Sequence, residues 1–136
     1  MSYLEKAKEA KKKSGIPALV VELMDAATKI HILHLTVTGP GSYAAHKALN
    51  ELYDALPDLA DTIAESYQGV TGTILDYPDV KAPKLESVKA ALAYIDELHN
   101  KVSDIQDANT YSEIDNELDN VKTTLNSAKY KLKFLS

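Results

Sequence analysis

Residues 114–135 read IDNELDNVKTTLNSAKYKLKFL, and the placing of their apolar side chains decides the fold. Ile114, Leu118, Val121, Leu125, Ala128, Leu132 and Leu135 advance by alternating steps of four and three, which winds one apolar stripe along a helix facing a bundle core. Thr110, with Glu113 three residues later, reads as a capping box that opens this helix. The preceding stretch repeats the pattern at Val88, Leu92, Ile95, His99, Val102 and Ile105. Pro83 suits its first turn, and the turn between the two helices falls near Asp107 to Asn109.

Upstream, Leu19, Val20, Leu23, Met24, Ala27, Ile30, His31 and His34 form another stripe, closed by the break Gly39-Pro40-Gly41. Ser42 is placed to cap the next helix, which is expected to run to about Gln68 with Gly69 as its stop. Leu49, Leu52, Leu56, Leu59 and Ile63 carry its apolar face, and Pro57 inside it predicts a local bend. Gly69 to Ala82 holds Gly, Pro and Asp around Ile74 and Leu75 and reads as a connection, with room for one short helical turn. The expectation is an all-α protein: a ferritin-like four-helix bundle over residues 15–136, with a long crossover between the second and third helices that lets these two run parallel. Residues 1–14 precede it as a basic arm or a short helix.

The composition narrows the chemistry. The 136 residues suffice for one domain. There is no Cys, which removes disulfides, thiolate metal sites and Cys nucleophiles. All fifteen basic residues are Lys, so planar bidentate clamps on phosphate or carboxylate are absent. The net charge of −5 is uneven: residues 1–13 carry Lys6, Lys8, Lys11, Lys12 and Lys13 against two Glu, a net +3, and the remainder carries −8. No apolar run approaches the roughly 20 residues of a membrane span, and the N-terminus lacks the order of a secretion signal, so the expected location is cytoplasmic.

With thiolates gone, His and carboxylate are the strong metal ligands left. His31 and His34, three apart, share a helix face, and His46 follows shortly after the break. Each also reads as a hydrogen-bonded core histidine. Asp61 and Glu65, four apart, can converge on one cation or simply form a solvated acidic face. His46 and Asp61 lie fifteen residues apart, about 22 Å along a helix but only about 60° around it. They share a side of the helix yet cannot hold one ion within one chain, whereas an antiparallel pair of these helices across a two-fold axis brings the His end of one beside the acidic end of the other. Nitrogen and carboxylate ligands with open positions suit iron, manganese or zinc. His99, two residues after Glu97, does not complete the Glu-x-x-His motif of intrasubunit di-iron centres and reads as a core or interface residue.

The stretch from His31 and His34 through Gly39, Tyr43 and His46 to Asp61, Ala64 and Glu65 resembles the signature of the Dps mini-ferritins (DNA-binding proteins from starved cells). That family typically reads His-x-x-His-Trp-Asn-x-x-Gly, then an aromatic, a His seven residues after the Gly, and Asp-x-x-Ala-Glu-Arg. The resemblance implies a hollow homo-oligomer, a dodecamer of four-helix bundles. It implies a ferroxidase activity that oxidises Fe(II) with hydrogen peroxide between two-fold-related subunits, stores ferric iron and limits oxidative stress. It implies His34 and His46 of one chain as ligands with Asp61 and Glu65 of another. His31, Asn50 and Tyr43 would surround them. Many members bind DNA through mobile basic tails, a role the lysine arm could fill non-specifically; its other reading is a solubilising helix end.

The chain departs from that pattern at three places. Asn50 stands where the family has an acid, Leu35 where it has Trp, and Ser66 where it has Arg. Glu51 and Asp54 are near Asn50 in sequence but are expected to point elsewhere, about 100° and 40° round the helix. Tyr43, Tyr53 and Tyr67 are candidate electron donors in place of the Trp. These departures motivate a rival expectation: a non-catalytic Dps-like shell, or a DNA- or ligand-binding protein with a degenerate metal site.

Overall fold

The computed structural model describes residues 15–79 and 83–135, and the lysine arm lies outside that range. Four helices appear, and no strand among the described residues: α1, Ile16–His34; α2, Ser42–Thr71; α3, Val88–Ala108; α4, Ser112–Phe134. The protein is an all-α four-helix bundle. None of its described helices is long and apolar enough to cross a membrane.

Each helix buries the stripe its sequence carries, with one change of phase. Ile114, Leu118, Val121, Leu125, Ala128 and Leu132 of α4 are all buried, while Leu135 lies past the helix end and is exposed. In α3 the buried positions are Ala91, Ile95, Leu98 and Val102. Val88, Leu92 and Ile105 pack only partly against the core, and His99 is half-buried, so His99 is not a seam residue. Each fully buried Leu or Ile contributes roughly 1.5–3 kcal/mol relative to exposure.

The helix ends differ from expectation in instructive ways. Thr110 and Glu113 form no capping box; Tyr111 occupies the cap without a side-chain bond, and the Asn109 amide instead donates to the Tyr111 carbonyl and to Asp115 Oδ1, both at 2.7 Å. α3 begins at Val88, beyond the reach of Pro83, with Ser87 Oγ accepting from the Ala90 N–H at 3.0 Å. α2 passes Gly69 and stops at Gly72, whose φ of 69° is the left-handed cap that ends helices. α2 runs through Pro57 unbroken; the missing N–H there leaves the Tyr53 carbonyl without its helical donor.

The helices pack in a ring. The packing of α1 on α2 is the most extensive, followed by α2 on α4 and then α4 on α3, with a lighter contact closing α3 onto α1. Ion pairs mark three of the four seams: Glu51 with Lys131 between α2 and α4, Lys129 with Asp96 at 2.7 Å between α4 and α3, and Lys101 with Glu22 at 2.9 Å between α3 and α1. From the segment joining α2 to α3, Leu75 and Leu85 insert into the core, and the Leu75 N–H donates to Gln68 Oε1 at 3.1 Å.

Candidate metal centre

The turn after α1 builds the centre. α1 ends at His34, where the N–H groups of Leu35 and Thr36 bond back to Ile32 and Leu33. Gly41, at φ 78°, reverses the chain into α2, and four residues into that helix His46 comes to lie over the end of α1. The last carbonyls of a helix lack intrahelical donors. His46 Nδ1 supplies one, donating to the His34 carbonyl at 3.0 Å. That bond requires a proton on Nδ1, so in the neutral tautomer the lone pair of the exposed His46 ring is on Nε2.

The two rings stack, centroids 3.7 Å apart and planes inclined by 25°. The His34 side chain is buried and its Nδ1 has no hydrogen-bond partner. Burial pushes its pKa below the ordinary histidine value, and the neighbouring His46 acts in the same direction. A neutral imidazole keeps a lone pair for a metal. An imidazole lone pair lies in its ring plane, however, and metal–nitrogen bonds are about 2.0–2.1 Å long. Two nearly parallel rings at this spacing do not aim both lone pairs at one ion, so joint ligation requires one ring to turn.

A second layer lies beside the pair. The His31 ring stacks on Tyr53 at 4.0 Å with planes 8° apart, and Tyr53 meets His34 edge-on at 5.1 Å. The Tyr53 hydroxyl donates to Asn50 Oδ1 at 2.6 Å, and Asn50 Nδ2 donates to Asp54 Oδ2 at 2.9 Å. Asp54 does not point away from Asn50 as expected; it is bonded to it. A helical side chain leans toward the N-terminus, and Asn50 and Asp54 are a turn apart, so the signal was present in their spacing. Glu51 does turn away, to Lys131, which holds its carboxyl below the usual range.

The remaining candidates are dispersed. Tyr43 is 74% exposed and carries Lys47 over its ring at 5.7 Å, outside the His cluster. Tyr67 sits edge-on to Tyr111 at 6.0 Å, so of the three candidate donors Tyr53 alone adjoins the histidines. Leu35 is exposed and Ser66 half-buried. Asp61 and Glu65 are exposed on the later half of α2, about 22 Å of helix rise from His46 in the case of Asp61. Among the described residues of one chain, no group of three or more His, Asp or Glu is placed to hold a metal ion. Lys6, Lys8, Lys11, Lys12 and Lys13 lie outside the described residues. A cleft of about 400 Å³ opens on another side of the turn, lined by Leu33, Val37, Ser42, Ala45 and the start of α3, and none of the histidines lines it.

The fold and this His-lined turn define an all-helical bundle with an imidazole-rich end. Residues 34–132 match the family described as "Family of unknown function (DUF5856)", and the chain belongs to that family. The matched span opens on His34 and includes His46, Asn50, Asp54, Asp61 and Glu65. No curated protein and no solved structure matches the chain.

Proposed function

We propose that the protein is a Dps-like metal-binding protein that takes Fe(II) as substrate and oxidises it with hydrogen peroxide at sites shared between two chains. The observation that carries this reading is the His34–His46 pair: a buried imidazole whose pKa is pushed down, stacked beneath an exposed one whose bond to the His34 carbonyl uses Nδ1 and not Nε2. Asp61 and Glu65 lie on the same side of α2 but too far along it to help within one chain. A two-fold antiparallel pairing of α2 brings them to the histidines of a second copy and makes two equivalent sites. The oligomer we propose is the dodecameric cage of the mini-ferritins.

The proposal extends to the bundle's layout. Ile105 of α3 stands against Gly15 before α1, Lys101 reaches Glu22, and Leu33 at the end of α1 shares a cleft with the start of α3. These contacts support α1 antiparallel to α3 and hence α2 parallel to α3, joined by a ferritin-like crossover.

Native mass and stopped-flow oxidation test the reading together. A large closed oligomer is expected, with Fe(II) oxidation by peroxide falling about tenfold or more in His46→Ala and Asp61→Ala. A monomer, or rates unchanged in both variants, overturns it. Asn50, engaged by Tyr53 and Asp54 where the mini-ferritin pattern has an acid, favours a second reading, a shell that binds metal without oxidising it. A cage that takes up Zn(II) but leaves Fe(II) oxidation at the uncatalysed rate selects that alternative.

A further inference from the structure

We propose that copies of the chain meet through a second contact, between unlike ends: the aromatic, lysine-bearing end of one bundle docks on the acidic end of the next. It rests on the cage reading above and supplies a contact that a cage requires. A two-fold pairing of α2 satisfies both partners and stops at a dimer. A larger closed assembly takes a further surface, and two unlike surfaces meeting head to tail close into a ring.

In the layout proposed above, the end of α1, the starts of α2 and α3 and the end of α4 share one end of the bundle. The pairs of Lys131 with Glu51 and Lys129 with Asp96 fasten the last turns of α4 to α2 and α3 there. Leu35, Tyr43, Tyr130, Phe134 and Leu135 lie at this end, each more than half exposed. The Tyr130 and Phe134 ring centroids are 5.8 Å apart, Lys133 Nζ stands 5.5 Å over Phe134, and Lys47 Nζ stands 5.7 Å over Tyr43. Among the described residues no carboxylate forms an ion pair with Lys47, Lys89 or Lys133. Exposed apolar side chains rimmed by charge mark an interaction surface, and aromatic residues are enriched at the centres of such contacts.

The opposite end has the complementary character. Asp104 and Asp107 lie in the last turn of α3 and Glu113 in the first turn of α4, all exposed, and no described Lys forms an ion pair with them. Lys101 and Lys122 are at this end but are engaged by Glu22 and by Gln106. Ile74, just past the end of α2, is 77% exposed. A second copy therefore offers carboxylates to the lysines and an aliphatic side chain to the rings, a match in sign and in polarity. The two ends of one bundle cannot meet each other, because the 30 residues of α2 hold them about 45 Å apart. The match is satisfied only between copies.

The native mass of the full chain, read by light scattering, tests this, with Fe(II) oxidation by peroxide as a second readout. Three double variants are expected to reduce the assembly to a dimer: Lys89→Glu with Lys133→Glu, Asp107→Lys with Glu113→Lys, and Tyr43→Ser with Phe134→Ser. Each dimer is expected to keep its oxidation rate, because the α2 pairing and its sites survive. Combining the two charge reversals in one chain is expected to restore the large assembly, since the facing signs are again opposite. Melting temperatures of the variants provide the folding control. Full mass kept in all three variants overturns the contact and leaves the cage reading standing. No restoration in the combined chain overturns the acidic end as the occupant. Wild-type binding to phosphatidylserine vesicles that is lost in the Lys variant, with its mass unchanged, gives this end to an anionic membrane and overturns the proposal. A wild-type dimer that oxidises Fe(II) overturns this contact and the cage but spares the shared site, and a wild-type monomer overturns all three.

Discussion

His46 reaches across from α2 to donate its Nδ1 proton to the main-chain carbonyl of His34, and its ring roofs the ring of the residue it bonds. One side chain thereby satisfies an orphan helix-end carbonyl and buries a titratable neighbour, which ties local stability to protonation.

Stability should decline in mildly acidic solution because of His34. Burial first, and His46 second, lower its folded pKa below the unfolded value of about 6.5. Above that value position 34 is neutral in both states. Below it the unfolded chain takes up a proton that the folded chain resists, so stability is lost as pH falls toward the folded pKa. Urea unfolding between pH 7.5 and 5.5 should show this slope, and His34→Leu should flatten it; an equal slope in the variant contradicts the assignment.

Lys101→Met should destabilise the fold more than an ordinary surface change. Glu22 is only 8% exposed and Lys101 is the cation bonded to it, so the variant strands a buried carboxylate. The expected loss is about 1–3 kcal/mol, measurable by chemical denaturation at neutral pH. Adding Glu22→Leu to Lys101→Met should recover most of it, since removing both partners leaves no uncompensated charge.

Tyr94→Phe should stabilise the protein. The Tyr94 hydroxyl is buried with no hydrogen-bond partner, and burial together with the nearby Glu22 and Asp25 carboxylates pushes its pKa up. Deleting an unsatisfied buried hydroxyl recovers about 1 kcal/mol. A rise in melting temperature checks this, and a clear fall would reveal a hydrogen bond that the native state depends on.

Gly15→Ala should lower stability by about 1–2 kcal/mol. Gly15 opens α1 at φ 71°, and a Cβ there would stand 2.9 Å from Ile105 Cγ1. Two costs are separable: Ile105→Ala removes both Cγ1 and Cδ1 and so relieves the crowding but not the backbone strain, and thermal melts should show Gly15→Ala costing less in the Ile105→Ala background than in the wild type.

The fold was largely legible because the α4 stripe admits one phase only: every three-four step lands on an aliphatic residue from Ile114 to Leu132. α3 admits two overlapping stripes that share Ile95 and Val102, and sequence alone favoured the one through His99. The packing of α3, intimate with α4 and light with α1, selects the one through Leu98 instead. Helix ends were less legible, since Tyr111 and Gly41 cap by backbone geometry where side-chain capping by Thr110 and Ser42 was expected.

In the candidate site, the meeting of His34 and His46 could be read from a tight turn joining two helices. The Asn50–Asp54 bond was within reach of their one-turn spacing, but the stacking of Tyr53 on His31 was not, because register between helices follows from packing rather than from spacing along either one.

Pro57 leaves α2 continuous in shape but should divide it in its dynamics. Helical segments open cooperatively because each rung of hydrogen bonds supports the next, and the rung at Tyr53 is missing. Amide hydrogen exchange should therefore report two blocks: residues 42–56, anchored by the histidine turn, and residues 58–71, which end at the Gly72 cap. The carboxylates of Asp61 and Glu65 ride on the second block, free to breathe without loosening the histidines on the first.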